Sequence, residues 1–388
     1  MSHVSARTPP VTTKLPAVGT TIFTVMSALA AEKQAVNLGQ GFPDFGCDPK
    51  LLDDVTAAMA AGHNQYPPMP GIPALRAAIA AKLAALYGHS YSAQDEITVT
   101  AGATQAIITA VLAVVRPGDE VIVLEPCYDS YVPNIELAGG TVVRVPLTPG
   151  TFRPDFDRIG AAITPRTRAI IINTPHNPSA TVWTAAEMRQ LEELLAPTDI
   201  FVISDEVYEH MVFDGGAHQS AARFPGLAAR SFIVSSFGKT YHVTGWKVGY
   251  VAAPAALMAE FRKVHQFNVF TVNTPMQHAL AAYMASPAPY MELPAFYQRK
   301  RDLFAQGLAA TRLRLLPSAG TYFQCVDISG VSDLSEADFC QWLTSEIGVA
   351  AIPLSAFYGN EFDQRVVRFC FAKQDQTLHS ALDRLARL

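Results

Sequence analysis

The chain has 388 residues, a formal net charge of −5 at pH 7 and a sequence pI of about 6.1. Hydrophobic residues make up 49% of it and charged residues only 16%, a balance that excludes a disordered chain. The mildly acidic charge offers no basic surface for nucleic acid or for an anionic membrane, so neither is expected as a partner.

The N-terminal residues predict an arm. Residues up to about Thr20 are rich in proline, threonine and small side chains and lack the apolar stretch of a signal peptide. The five cysteines are widely spaced and contain no CxxC pair, which indicates reduced thiols and no metal site. No apolar stretch is long enough to cross a membrane. We therefore expect a cytoplasmic protein.

Helical signals follow the arm. Asp48-Pro49 is typical of a helix start, and this helix should end near Gly62. Apolar residues at spacings of three and four predict a second helix over residues 71–87, closed by Gly88. After a short strand at residues 97–100, the segment 102–115 is apolar almost all round, which predicts a buried helix.

Short β-branched segments come next, separated by helical or turn-rich stretches. They lie at residues 120–124, 141–145, 169–172, 200–204 and 232–235. Such segments are typical of strands buried on both faces of a parallel sheet. Residues 249–252 predict a further strand, a candidate for an edge of the sheet.

From residue 287 the pattern changes. Helices are predicted at residues 291–313 and 336–347, and isolated strands at 321–326 and 366–371. The sequence therefore predicts an α/β protein in three parts. These are residues 1–47 as an N-terminal arm and part of a small domain, residues 48–286 as a large domain, and residues 287–388 as a C-terminal small α+β domain.

Polar side chains follow the apolar segments, at the strand ends where open α/β sheets bind ligands. Lys239 lies just past residues 232–235; a partly desolvated lysine there can form a Schiff base with an aldehyde, although a solvated surface lysine is the commoner case. Asp205 is either a helix cap or the carboxylate that keeps a pyridine nitrogen protonated. Tyr208 and Asn177 are candidate hydrogen-bond donors to the same ligand, although the segment around Asn177 also reads as a plain turn.

A series of short motifs occurs in order along nearly the whole chain. They are Gly-Phe-Pro-Asp (41–44), Gln-Tyr (65–66), Ala-Gly-Ala-Thr (101–104), Asn-x-Pro-x-Asn-Pro (173–178), Ser-Asp-Glu-x-Tyr (204–208), Ser-x-x-Lys-Thr (236–240), Gly-Trp-Lys-x-Gly (245–249) and Arg-Phe (368–369). This set resembles the class I/II aminotransferases of the fold-type-I pyridoxal phosphate enzymes. Residues 174–183, 235–250 and 349–358 are most similar to the methionine aminotransferase and kynurenine aminotransferase branch. The resemblance implies a mostly parallel seven-stranded sheet between helices, a smaller α+β domain, and a homodimer with composite active sites.

The resemblance also implies pyridoxal 5'-phosphate as the cofactor and a role for each residue around its ring. Lys239 would bind the cofactor's aldehyde and move a proton between substrate and cofactor. Asp205 would pair with the pyridine nitrogen, while Tyr208 and Asn177 would hold the phenolate oxygen. Tyr128 would stack on the ring, with an ordinary core aromatic as the alternative.

The cofactor's phosphate would lie on the backbone N–H groups of Gly102 and Ala103, where a helix N-terminus favours an anion. The side chains implied around it are Thr104, Ser236, Lys247 and, from the neighbouring subunit, Tyr66. Many relatives carry arginine where this chain has Lys247, and lysine lacks the bidentate fork.

For the substrate, the resemblance implies that Arg368 clamps the α-carboxylate through two parallel hydrogen bonds, helped by Asn177 and the Gly41 backbone. The side-chain pocket would be apolar and aromatic, lined by Phe23, Tyr66, Phe357 and Tyr358. No arginine occurs between residues 264 and 295, where dicarboxylate-specific relatives carry a second carboxylate clamp.

These implications predict ping-pong transamination from methionine and other uncharged or aromatic amino acids to a 2-oxo acid. Cysteine-S-conjugate β-lyase or kynurenine–oxoglutarate transaminase activity at the same site remains the nearest alternative. Two further alternatives are a regulator that binds the cofactor as a signal and a structural protein with an inactive site.

Overall fold

The computed structural model describes residues 11–388, and residues 1–10 of the expected arm lie outside the described part. The helices are α1 (Ile22–Glu32), α2 (Pro49–Ala60), α3 (Pro73–Tyr87), α4 (Gly102–Val114), α5 (Tyr131–Leu137), α6 (Phe156–Ala161), α7 (Ala185–Leu195), α8 (Pro225–Ala228), α9 (Phe237–Thr240), α10 (Ala255–Asn268), α11 (Thr274–Tyr283), α12 (Ala288–Met291), α13 (Leu293–Leu308), α14 (Glu336–Trp342) and α15 (Asp375–Leu385). The strands are β1 (Val36–Asn37), β2 (Ile97–Thr100), β3 (Glu120–Glu125), β4 (Thr141–Pro146), β5 (Thr167–Asn173), β6 (Phe201–Asp205), β7 (Ser231–Ser236), β8 (Gly249–Ala252), β9 (Arg314–Leu315), β10 (Phe323–Asp327), β11 (Val349–Ala350), β12 (Ile352–Pro353) and β13 (Val366–Cys370).

A seven-stranded sheet organises the larger part of the chain, in the order β2-β8-β7-β6-β5-β3-β4. The pairs from β7 to β4 are parallel, and β8 is antiparallel to both β7 and β2. The predicted mostly parallel sheet is therefore confirmed. The edge position considered for residues 249–252 is wrong, because β8 lies between two strands and all four of its residues are buried.

Both faces of this sheet are covered, as the β-branched segments predict. Along β5, Ile170 and Ile172 pack into one hydrophobic cluster, whereas Ile171 packs into another cluster with Ile107 and Val111 of α4. Alternate side chains of a strand point to opposite faces, so a strand covered on both sides needs apolar residues at every position. The buried helix α4 covers one of these faces.

The carboxyl ends of the parallel strands meet at one edge of the sheet. Asn173 at the end of β5 is in register with Asp205 at the end of β6, and Asp205 is in register with Val234 of β7. Because β2 runs in the same direction as β7, the N-terminus of α4 also lies at this edge. The strand ends singled out in the sequence are therefore neighbours in space.

A smaller antiparallel sheet with the order β12-β13-β10-β9 lies in the C-terminal part of the chain. β1 pairs in parallel with β11, which ties residues 36–37 to the C-terminal part. The helix expected over residues 291–313 corresponds to α13, which begins at Leu293 and ends earlier than expected, at Leu308. Pro294 lies in its first turn, where proline is tolerated, and the short helix α12 precedes it. The helix expected to reach residue 347 becomes a π-helical turn after Trp342. The domain boundaries at residues 47 and 286 stay predictions.

Helices α1, α10, α11 and α15 are additional to the predicted elements. Within residues 11–388, no helix combines the length and the apolar character that a membrane crossing requires.

Candidate active site

A cavity of about 260 Å³ opens at the carboxyl edge of the large sheet. It brings together most of the side chains that the sequence singled out. Those that line it are Phe23, Gly41, Gly102, Ala103, Thr104, Tyr128, Asn177, Asp205, Tyr208, Ser236, Lys239, Lys247 and Arg368. Their segments are far apart along the chain, so the cavity exists only in the folded protein.

Lys239 lies in the short helix α9, directly after β7, and its amine points into the cavity. Nζ donates hydrogen bonds to the Tyr322 hydroxyl at 2.8 Å and to the Gly41 carbonyl at 3.3 Å. Among the described residues, no carboxylate oxygen lies within 4.0 Å of this amine. Burial disfavours the ammonium form and lowers the pKa of Lys239 to about 8, so a neutral, nucleophilic amine is accessible near physiological pH.

Asp205 is the last residue of β6 and is buried. Burial raises the pKa of its carboxyl group to about 6, while a hydrogen bond from the Tyr131 hydroxyl and the Lys239 charge oppose that rise. Tyr131 donates to Oδ2 at 2.6 Å and the backbone N–H of Val207 donates to Oδ1 at 3.3 Å. At pH 7 and above, Asp205 therefore presents a negative charge to the cavity.

Tyr208 and Tyr322 form an aromatic wall beside Lys239. Their rings pack edge to face with centroids 5.2 Å apart, and burial raises the pKa of both hydroxyl groups, so both are neutral donors. Tyr322 donates to the Gly41 carbonyl at 2.5 Å while accepting from Lys239. This tyrosine thus connects the lysine to the loop that carries Gly41.

An anion-binding cradle lies at the N-terminus of α4. Gly102 begins the helix with φ +77°, a conformation that favours glycine, and Lys247 packs against it. The first N–H groups of a helix lack intrahelical partners and carry positive potential. Thr104, in the first turn of α4, and Ser236 also line the cavity, so the cradle can bind a phosphate or another small anion.

Gly249 keeps this cradle open, and Gly249→Ala is expected to disturb it. A Cβ there would lie 2.6 Å from the Ser235 carbonyl oxygen and 3.2 Å from Gly102, so β7, β8 or the start of α4 would have to move. We expect a loss of about 1–3 kcal/mol in the free energy of unfolding, measured in urea, and weaker binding of inorganic phosphate. Gly245→Ala is the matched control, because a Cβ there meets nothing within 4 Å. Equal stability and phosphate affinity in the two variants would contradict the cradle.

Arg368 stands in the middle of β13 and is 1% exposed. Nη1 donates to Asn177 Oδ1 at 2.6 Å, Nη2 donates to the Gly39 carbonyl at 3.1 Å, and the guanidinium carbon lies 3.9 Å from the centroid of the Phe323 ring. Nε is buried without a hydrogen-bond partner, and no carboxylate within residues 11–388 forms an ion pair with this guanidinium. A buried cation without an anion is costly, so the site is suited to a ligand carboxylate.

Three predicted residues lie outside the main cavity. Phe357 packs edge to face on Phe23 with centroids 5.9 Å apart, and with Tyr358 it lines an adjoining cavity of about 530 Å³. The Tyr358 hydroxyl accepts a hydrogen bond from Gln364 at 2.5 Å. Tyr66 is 81% exposed and packs on Phe270, away from the cavity of its own chain.

Sequence reasoning missed several residues of the site, among them Tyr131, Tyr322, Phe323 and Lys373. Lys373 donates to the carbonyls of Phe42 at 2.8 Å and Gln40 at 3.3 Å and so supports the loop that carries Gly41. In the sequence these aromatic residues resemble ordinary core residues, since they adjoin strands or helices. Only Tyr131 offered a signal in the sequence, because it lies three residues after Tyr128 in the segment that follows a buried strand.

Comparison with known proteins adds an independent observation. The model of the family described as aminotransferase class I and II matches residues 33–385. A methionine aminotransferase from Escherichia coli (strain K12) is 54% identical over 376 residues, which cover 97% of each chain. A probable N-succinyldiaminopimelate aminotransferase from Mycobacterium tuberculosis is 43% identical over 381 residues, which cover 95% of this chain and 96% of the relative. A kynurenine–oxoglutarate transaminase from Dictyostelium discoideum is 34% identical over 411 residues, which cover 95% of this chain and 94% of the relative.

A solved structure agrees with these relatives. The crystal structure of an Escherichia coli protein with an identified methionine aminotransferase function matches with a TM-score of 0.97 at 53% sequence identity, covering 98% of this chain and 100% of that chain.

Proposed function

This chain belongs to the class I and II aminotransferases, and from that membership we propose that it transfers the amino group of methionine and of other uncharged or aromatic amino acids to a 2-oxo acid. The observation that supports the proposal is that three side chains line one cavity: Lys239, whose amine forms no ion pair among the described residues, the buried carboxylate Asp205 and the buried guanidinium Arg368. Each group suits a different part of the reaction. Methionine is the donor named for the relative at 54% identity.

Aminotransferases of this family use pyridoxal phosphate, and the residues present fit it. Lys239 offers a buried amine of lowered pKa to the cofactor's aldehyde, and Asp205 offers an anion to the pyridine nitrogen. The N-terminus of α4 and Lys247 suit the phosphate, and Tyr128 suits the ring face. Tyr208 and Asn177 are the proposed donors to the phenolate oxygen. When bound, the cofactor acts as an electron sink for the charge that develops as the substrate's Cα–H bond breaks.

In the proposed mechanism, Arg368 binds and orients the substrate's α-carboxylate, with Asn177 holding the guanidinium in place. Lys239 would take the proton from the substrate's Cα, and the bound cofactor would supply C4′ as the atom to which the lysine returns it. Tyr322 and the Gly41 carbonyl hold the lysine amine in the cavity, where the substrate would bind. Burial gives the Asp205 carboxyl group a pKa of about 6, so it offers a negative charge at neutral pH.

The charge of the cavity supports a preference for uncharged side chains. Within the described residues, the basic side chains that line the cavity are Lys239, Lys247 and Arg368. The first two are proposed to bind the cofactor, and Arg368 is proposed to bind the substrate's α-carboxylate. The second carboxylate of aspartate would therefore meet no cation from this chain. Phe23, Phe42 and Phe323 instead offer aromatic surface.

Initial rates with methionine, phenylalanine, kynurenine, N-succinyldiaminopimelate and aspartate, each with one common 2-oxo acid, test this preference. We expect kcat/KM for methionine to exceed that for aspartate about tenfold or more, because a buried unpaired carboxylate costs binding energy. Faster turnover of aspartate than of methionine would overturn the specificity. Absence of 2-oxo acid formation from every donor would overturn the transaminase assignment for this site.

The proposal includes a homodimer in the cytoplasm. A subunit interface would bury three aromatic side chains that are exposed in the single chain: Tyr66 (81% exposed), Phe267 (90%) and Phe270 (38%). Tyr66 would then reach the cofactor phosphate of the neighbouring subunit. A monomer in sedimentation at assay concentration would contradict this part. The five cysteines are all free, which supports a reducing compartment.

A further inference from the structure

Within residues 11–388, the hydroxyl group of Tyr131 has one hydrogen-bond partner, the carboxylate of Asp205. Tyr131 begins α5 and its side chain is buried, 2% exposed. Its Oη donates to Asp205 Oδ2 at 2.6 Å, the length of a strong hydrogen bond to an ionised acceptor. Burial and the neighbouring Asp205 raise the pKa of Tyr131, so the phenol stays protonated and remains a donor.

Few other groups stabilise the charge of Asp205. The backbone N–H of Val207 donates to the other oxygen at the longer distance of 3.3 Å. Of the titratable groups that face Asp205, Lys239 favours its ionised form and Glu206 opposes it, while Tyr128 and Tyr208 have raised pKa values and are neutral. Tyr131 is therefore the main side-chain donor that opposes the cost of burying this charge.

The position of Tyr131 is set by the same segment that carries Tyr128. The N–H of Tyr131 donates to the Tyr128 carbonyl at 3.1 Å, and the two rings pack edge to face with centroids 5.7 Å apart. One turn of chain after β3 thus presents an aromatic ring to the cavity and a hydroxyl to the Asp205 carboxylate.

We propose that Tyr131 is a positioning residue that keeps the Asp205 carboxylate ionised and aimed at the cofactor's pyridine nitrogen. This proposal rests on the proposed function in one respect: the pyridine nitrogen faces Asp205 only if the chain binds pyridoxal phosphate. The bond from Tyr131 itself acts in the protein without cofactor, so it can be tested there.

The first test measures the proton affinity of Asp205 in cofactor-free protein, from the infrared band of its protonated carboxyl group as a function of pH. The band is assigned by its loss in Asp205→Asn. In Tyr131→Phe we expect the proton affinity of Asp205 to rise roughly tenfold to a hundredfold, since a hydrogen bond to a charged group contributes about that much. Tyr87→Phe is the matched control: the Tyr87 hydroxyl donates to buried Glu209 at 2.5 Å, outside the cavity, and its loss should leave Asp205 unchanged.

A second variant guards against a folding failure of Tyr131→Phe. Replacing Tyr131 by 3,5-difluorotyrosine changes the shape little but makes the hydroxyl more acidic and its hydrogen bond stronger. We expect the proton affinity of Asp205 to fall below that of the wild type. An unchanged proton affinity in a folded variant of either kind would overturn the proposal.

The second test separates positioning from simple packing. We expect Tyr131→Phe to raise the dissociation constant of pyridoxal phosphate about tenfold in the wild type but to leave it unchanged in the Asp205→Asn background. An equal loss of affinity in both backgrounds would mean that Tyr131 only supports the fold. Because neither readout requires turnover, failure of the transaminase assay would leave this result interpretable on its own.

Discussion

Replacing Lys239 with alanine is expected to lower kcat at least about a thousandfold. In the proposed mechanism the amine is both the nucleophile that holds the cofactor and the base that moves the Cα proton, and proton transfer by a positioned group alone contributes about 10²–10⁴ to the rate. The variant should also lose the visible absorption band that covalent attachment of pyridoxal phosphate produces. Initial-rate assays with methionine and absorption spectra measure the two effects.

Lys239→Arg is the matched control for this experiment. Arginine retains the positive charge, but its guanidinium does not deprotonate at usable pH and cannot attack an aldehyde. We therefore expect it to be as inactive as the alanine variant. If Lys239→Arg retained most of the activity, the positive charge of Lys239 would be its contribution and its role as nucleophile would be wrong.

Replacing Arg368 is expected to act on substrate binding. In Arg368→Ala we expect kcat/KM for methionine to fall by about two to three orders of magnitude, mostly through a higher KM, because one partner of a buried charge pair is removed. Asn177 and the Gly39 carbonyl would also lose their donor. Arg368→Lys keeps the positive charge but loses the planar guanidinium that binds a carboxylate through two hydrogen bonds. We therefore expect kcat/KM for methionine to fall about tenfold in this variant.

Arg365→Lys is the control for Arg368→Lys. Arg365 lies three residues earlier, bonds to the carbonyls of Ser332 and Asp333, and does not line the cavity. Its replacement should leave KM unchanged. The affinity of Arg368→Lys for pyridoxal phosphate should also equal that of the wild type, since the clamp is assigned to the substrate. An unchanged KM in Arg368→Ala would contradict the clamp.

The sequence predicted the strands of the large sheet more accurately than the helices. The β-branched segments coincide with β3, β4, β5, β6 and β7 to within one or two residues at either end. Both faces of a parallel sheet are covered, so every position needs an apolar residue and the signal is continuous along the strand. Helices α10 and α11 are absent from the sequence prediction, although the buried residues Met258, Phe261 and His265 of α10 recur at helical spacing. A helix covered on one face keeps polar residues on the other, so its pattern is less conspicuous than that of a strand covered on both faces.

The position of β8 in the sheet shows a different limit of prediction from sequence. Its four residues are apolar or small, which indicates a strand. Its pairing, however, depends on two segments that both precede it in the chain, β7 at residues 231–236 and the much more distant β2 at residues 97–100. Sequence patterns describe which faces of an element avoid water. They do not say which neighbour covers each hydrogen-bonding edge.

The residues of the site also divide into those that the sequence predicts and those that only the structure shows. Four residues could be singled out from the sequence because each is polar or charged and lies within an apolar strand or shortly after one, where only function or a specific partner offsets its burial. They are Lys239, Asp205, Asn177 and Arg368. Tyr131, Tyr322 and Phe323 could not, because a buried aromatic residue is ordinary in a core. Only the tertiary structure brings the Tyr131 hydroxyl to Asp205 and the Tyr322 hydroxyl to Lys239. A hydrogen bond depends on distance and direction between residues far apart in the chain, and the folded backbone alone determines both.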